Sequence, residues 1–409
     1  MLHLAEVAIP EKQVERLSKQ IGAERTTERD TQVAAWESLP LAEREQTPAL
    51  PASVVGVVEM DGGRMQIRGP NWGKKPTPVV AVDSPSEPEA AANAAASTST
   101  PVPTEPAAAT APTTRLNHWR EDKAGCVLRL TSTVSASDPC PEIPAVFVDP
   151  LRSLTLAQEI GHAAVPEGAP FARAAATETP KTERPGAPQL EQRVLTASRA
   201  DNHAFGPILA ALTWSLGLFG ATRQAFLADG ASGNWTVHKT WFPRFEPILD
   251  FLHALTYVYA SAMAGRNFAA GWPIYTAWIQ WVWSGQVAKV IAALTERLHE
   301  LGEPLANDAA GSPWKVVREA LTYLTNNQEY MKYDDYRCQG LPLMTSYAES
   351  AVKQINRRVK GTEKFWSEEG AEAILQLRAD YLSDTEPMKA FWQRRQDGMT
   401  GHRRYRQAA

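Results

Sequence analysis

Between Gln224 and His253 two short apolar runs each stop at an aspartate: Gln-Ala-Phe-Leu-Ala ahead of Asp229-Gly230, and Ile248-Leu249 ahead of Asp250, with His253 three residues on. Runs this short read as buried strands, because a helix needs about 10 residues or more to bury a face. Pro243 and Pro247 bracket the start of the second run, and Gly230 lets the chain turn away after the first. Buried strands that end on acids belong to an α/β sheet, and such sheets gather ligands at the carboxyl ends of their strands. Asp229, Asp250 and His253 therefore stand where a polar pocket is expected. Taken alone, Asp229-Gly230 reads equally well as a surface turn.

The chain has 409 residues, 44% of them hydrophobic, enough for one large domain with an insertion or for two domains. A net charge of -4 gives no global basic field, so any surface for nucleic acid must be local. Cys126, Cys140 and Cys338 are odd in number and widely scattered, which argues against a disulfide framework and against a Cys-x-x-Cys zinc site. A reducing cytoplasm is the expected compartment. The N-terminus lacks a basic start followed by an apolar core, so no secretory signal is expected. Stretches 203–222 and 267–288 are uncharged, but Gly206, Pro207, Gly217 and Gly220 interrupt the first, and Pro273, Gln280, Ser284 and Gln286 the second. Buried core helices, not membrane spans, are expected there.

Residues 1–50 read as a helical segment with a thin apolar stripe of Val14, Leu17, Ile21, Val33, Ala34 and Trp36. A mixed sheet flanked by helices is expected over 51–262. Within it, Ser53–Met60 and Arg64–Arg68 read as two strands of a hairpin turning at Asp61-Gly62-Gly63. Gly125–Thr133 and Gln192–Ala197 are further strands, and Ala204–Gly220 a buried helix. Two Ala/Pro-rich tracts, about 76–115 and 163–190, are predicted to be disordered insertions. The run Gln158-Glu159-Ile160-Gly161-His162 lacks the first histidine that a zinc-protease helix needs. Residues 263–339 have helical periodicity throughout, and Trp272, Trp278, Trp281 and Trp283 suit its core better than a base-stacking platform.

The sheet domain resumes over 340–382. Ser346 is a candidate N-cap with Glu349 as its capping-box partner, and Lys353, Arg357, Lys360 and Lys364 follow on one helical face with Arg358 beside them. Such a basic stripe after a glutamate in the first turn suggests a DNA-backbone contact. The tail, 383–409, adds Arg394, Arg395, Arg403, Arg404 and Arg406. Three carboxylates then stand out at element ends: Asp61, Asp229 and Glu349. Brought together they would repel, and cations would have to neutralise them. Two magnesium ions about 4 Å apart, shared with substrate phosphates, would do so and would suit phosphodiester displacement.

The ordered series Asp61-Gly-Gly, Leu-Ala-Asp229-Gly, Phe-Pro followed by Ile-Leu-Asp250-Phe-Leu-His253, then Gly-Leu-Pro with Glu349-Ser, Asn-Arg-Arg-Val-Lys-Gly and Phe-Trp366, resembles bacterial DDE insertion-sequence transposases of the Kra type. These are similar to retroviral integrases and RNase H-like enzymes. The resemblance implies an RNase H-like sheet in which Asp61, Asp229 and Glu349 bind two Mg2+ ions, with Mn2+ as a substitute. It also implies an Asp-x-x-His element, Asp250 and His253, beside the site, and an α-helical insertion between the second aspartate and the glutamate. The implied partners are duplex DNA, as element ends and target, and further copies of the chain in a synaptic complex in the bacterial nucleoid. An inactive relative that only binds DNA or protein is the alternative. Leu343-Met344-Thr345-Ser346 stands where the family shows Ile-Gly-Ser-Gly, and the tract after Asp61 separates the first two acids more than usual.

Overall fold

β1 (Val54–Ile67) is the spine of the sheet, with every residue from Val54 to Met60 buried. A computed structural model of the chain describes residues 10–68, 119–161, 163–170, 185–304, 309, 311–361 and 364–397. The 76–115 tract, residues 171–184 of the 163–190 tract, His162 and Arg403, Arg404 and Arg406 lie outside the described residues. β1 pairs antiparallel with β2 (Trp119–Thr131), which pairs antiparallel with β3 (Gln189–Ser198). On its other side β1 pairs parallel with β4 (Arg223–Ala228), and β4 with β5 (Glu246–Leu249). The strand order is therefore β3-β2-β1-β4-β5, and β6 (Phe365–Trp366) adds a short parallel pairing at Gln66 and Ile67. The fold is α/β, with a mixed open sheet flanked by helices.

The hairpin expected at Asp61-Gly62-Gly63 does not form. β1 runs straight through these residues, which pair with Ala124, Lys123 and Asp122 of β2. The glycines serve cross-strand packing instead of a turn: a Cβ on Gly63 would lie 2.6 Å from a carboxylate oxygen of Asp122. Long-range pairing with β2 overrides the local turn preference.

Helices cover both sheet faces. α4 (Asn202–Ser215) takes the face of Met60 and its partner Gly125, where Leu209 and Phe205 leave no room for a Cβ. It stops short of the helix expected over 204–220, because Gly217 at φ 71° leads into a separate 3-10 turn. α11 (Ser346–Val359) packs on the other face, against β1 and β2. α12 (Glu368–Leu382) lies on β3, and α1 (Glu11–Glu37) lies on α12 so closely that a Cβ on Gly22 would clash with Ala373. The buried Arg25–Asp380 ion pair, at 2.8 Å, fixes this N-terminal helix in place. Short α2 (Leu41–Arg44) follows it, α3 (Pro150–Glu159) packs on α6 (Phe251–Met263), and α5 (Ser232–Trp241) joins β4 to β5. α13 (Pro387–Asp397) ends the described chain. Its Arg394 and Arg395 pair with Glu28 and Glu24 of α1, so this part of the expected basic tail is neutralised in place.

After β5 the chain is helical: α6 (Phe251–Met263), α7 (Phe268–Trp283), α8 (Val287–Leu301), α9 (Pro313–Asn327) and α10 (Tyr333–Cys338). Trp278 and Trp283 are buried in this block, while Trp272 and Trp281 pack against its core. Among the described residues no helix is long and apolar enough to cross a membrane. The block is tied to the sheet by side-chain hydroxyls. Tyr336 donates to Pro247 O (3.2 Å), Tyr333 to Leu249 O (3.0 Å) and Tyr323 to Asp229 O (2.7 Å). These bonds brace the very strand ends that carry Asp229 and Asp250.

Candidate active site

Parallel pairing sets the geometry of the first two acids. Glu59 of β1 is level with Leu227 of β4. Two residues further along both strands, on the same face because side chains alternate, come Asp61 and Asp229. Asp229 opens a tight turn into α5. Its Oδ1 accepts from Ala231 N (2.9 Å) and Asn234 Nδ2 (2.8 Å), which holds the carboxylate in one orientation. Gly230, at φ 89°, lies against Tyr323, so a side chain there would meet both strain and a clash. Asp61 accepts from Gly62 N at 2.7 Å.

Asp250 caps α6 and is fully buried. It also accepts Thr345 N–H at 3.1 Å, joining α6 to the start of α11. Its Oδ2 lies 2.6 Å from His253 Nδ1, so that nitrogen donates and the Nε2 edge of the ring is left for the site. Glu349 enters from the first turn of α11. One ligand atom each from Asp250, His253 and Glu349 lie within 4.8 Å of one another, a spacing suited to a metal ion. The tightest cluster is thus not the Asp61, Asp229 and Glu349 set expected from sequence. Asp61 and Asp229 border it, near enough to act on it by charge.

The electrostatics show that crowding. Burial, then the charges of Asp229 and Glu349, push the Asp61 carboxyl up to about 7 despite the Gly62 hydrogen bond and the His253 charge. Burial, then Asp250, raises the Glu349 carboxyl against the pull of Lys353 and His253. Burial opposes protonation of His253, but the Asp250 hydrogen bond and the charges of Asp250, Asp229 and Asp61 together raise the ring to about 9. The histidine is therefore the local cation among several acids.

Glu59 is a member of this group that sequence reasoning missed. It is fully buried, its Oε2 accepts Ala348 N–H at 2.8 Å, and its Oε1 has no hydrogen-bond partner. Burial raises its carboxyl well above the usual range, with Asp250 and Glu349 adding to the effect. The signal was present: Glu59 precedes Asp61 by two residues, and period-two alternation puts both on one face. Glu59 also explains why Ser346 is not the N-cap of α11. Thr345 holds that position without a side-chain cap, and the buried Glu59 carboxyl takes up an orphan N–H of the first turn. Glu349 is consequently free of a capping-box role. It faces the site with Lys353 3.6 Å away.

The basic stripe is shorter than expected. α11 ends at Val359, so only Lys353, Arg357 and Arg358 lie on the helix. Lys360 has left it and stands 5.7 Å from the centre of the Trp119 ring. Lys364 folds back and donates to the last carbonyls of α11, those of Arg357 and Arg358. No family model, curated protein or solved structure matches this chain.

Proposed function

We propose that the protein is a metal-dependent polynucleotidyl transferase of the transposase class, which hydrolyses a phosphodiester at an element end and joins the freed 3'-hydroxyl to target DNA. The observation that carries this reading is the crowding of Asp61, Asp229, Asp250 and Glu349 at the carboxyl ends of β4 and β5, which pushes the Asp61 and Glu349 carboxyls above their usual range. Carboxylates held against such repulsion gain from a divalent cation. The strand order and senses are compatible with an RNase H-like core, which is the finer fold we propose.

The donor set fits hard cations, because carboxylate oxygens of Asp61, Asp229, Asp250 and Glu349 dominate it. In this reading Asp61 and Asp229 would join Glu349 in holding the ions, next to the tighter cluster of Asp250, His253 and Glu349. Bound Mg2+ would polarise the phosphate and favour the deprotonated nucleophile. The chain's own residues do the rest. Asn234 and the Ala231 N–H orient Asp229, Tyr323 fixes the backbone beneath it, and Glu59 seats the turn that carries Glu349. Asp250 aims the His253 ring, whose Nε2 can hold a proton near the oxygen that attacks or leaves.

The test is strand cleavage of DNA bearing the inverted repeats that flank the coding region, in Mg2+ or Mn2+. Asp229→Asn is expected to abolish cleavage and retain DNA binding. Cleavage by D229N at the parent rate, or none by the parent in either metal, would overturn the reading.

A further inference from the structure

α12 carries four acids and one base, Arg378. Three of the acids turn toward arginines of other elements: Asp380 to Arg25 (2.8 Å), Glu372 to Arg29 (3.0 Å) and Glu368 to Arg199 (3.7 Å). Arg378 turns the opposite way. Its Nη2 lies 3.5 Å from Gln354 O of α11, one helical turn before Arg358; burial, and then the like charge of Arg358, disfavour the charged form of Arg378. The guanidinium stands 5.1 Å from the centre of the Tyr381 ring, and Tyr381 is 75% exposed. Among the described residues no acid pairs with Arg357, Arg358 or Arg378. Two arginines held together without a counter-charge, beside an exposed aromatic ring, form a surface complementary to a polyanion.

Its place on the helix matters. Arg358 follows Glu349 by nine residues, which at 3.6 residues per turn puts it on roughly the opposite flank and about 13 Å further along the axis. Lys353 and Arg357 lie between these flanks on the exposed side, so positive charge continues from the acidic cleft over α11 to α12.

We propose that Arg358, Arg378 and Tyr381 form a second DNA-contact surface, which grips the phosphate backbone of the duplex whose scissile strand enters the cleft. The inference rests on the function proposed above. The arginines contact phosphates, and the Tyr381 ring presents the Arg378 plane and packs against the sugars.

Fluorescence anisotropy with the full chain and a labelled duplex carrying the terminal repeat, Mg2+ withheld, tests it. Arg378→Gln is expected to reduce the slope of log affinity against log salt by about 0.9, one phosphate contact, so its deficit against the parent shrinks about 3.5-fold between 50 and 200 mM salt. Tyr381→Phe should bind as the parent does and Tyr381→Ala more weakly, all with parental melting temperatures. A parental slope for R378Q, with parental affinity for Y381A, overturns the surface but leaves the cleavage reading standing. Cleavage by D229N at the parent rate, with the slopes as stated, would do the reverse. A parent that binds no duplex overturns both.

Discussion

Asp61→Asn in the metal-free protein should change how stability depends on pH. The Asp61 carboxyl is raised from its ordinary 3.8 to about 7 by burial and by Asp229 and Glu349. A carboxyl raised on folding contributes stability that is fully present below its unfolded value and lost as pH rises through its folded value. The window is therefore about pH 4 to 7. A rise of about three pH units, at about 1.36 kcal/mol each, sets the loss at no more than about 4 kcal/mol. Asparagine keeps the shape and can still accept from Gly62 N, but it does not ionise. Urea unfolding of chelator-treated protein across pH 4 to 8 measures the difference directly. The gap in unfolding free energy between D61N and the parent should move in favour of the variant by about 2–4 kcal/mol over that range. Mg2+ should restore the parent at pH 7.5 and help the variant far less. His253, raised to about 9 in part by the Asp61 charge, adds its own loss only above about pH 6.5, so the comparison below that pH isolates Asp61. Parallel stability curves, with a gap that moves by under about 0.5 kcal/mol, would refute the claim that Asp61 is buried against the other acids.

Glu59→Leu should cost about 1–3 kcal/mol in urea unfolding, because the Ala348 N–H loses its buried acceptor, while Glu59→Gln keeps an acceptor and costs less. Equal losses would mean that Glu59 does not seat α11. Tyr323→Phe removes the 2.7 Å bond to Asp229 O and should lower kcat for cleavage several-fold with little change in KM, a split to be read from steady-state rates. Asp138→Ala strands Arg337, which is 1% exposed at the side chain and stacked on Trp283, and should destabilise by about 3–5 kcal/mol in the same unfolding assay.

The parts of the fold that were legible in the sequence are those governed by local pattern. The helical periodicity over 263–339 corresponds to α7, α8, α9 and α10, and the short apolar runs before Asp229 and Asp250 are strands. What escaped depends on partners distant in sequence. Asp61-Gly62-Gly63 has the composition of a turn, and only the pairing of β2 shows why it stays extended. Ser346 and Glu349 have capping-box spacing, yet Glu59 reaches the helix start from another element. Period-two alternation places Glu59 on the face of Asp61, but it does not show that a helix start from residue 345 onward packs there to be capped. The convergence of Asp250, His253 and Glu349 likewise follows from the Thr345 N–H bond to Asp250, which no spacing reveals.

The claim on which the rest depends is that these acids share divalent cations. Anomalous diffraction from crystals soaked in Mn2+ answers it most directly. Peaks about 2 Å from carboxylate oxygens of Asp61, Asp229 and Glu349 are expected, and D229N crystals should lose at least one of them. Manganese bound only elsewhere, or at Asp250 and His253 with Asp61 and Asp229 uninvolved, would contradict it.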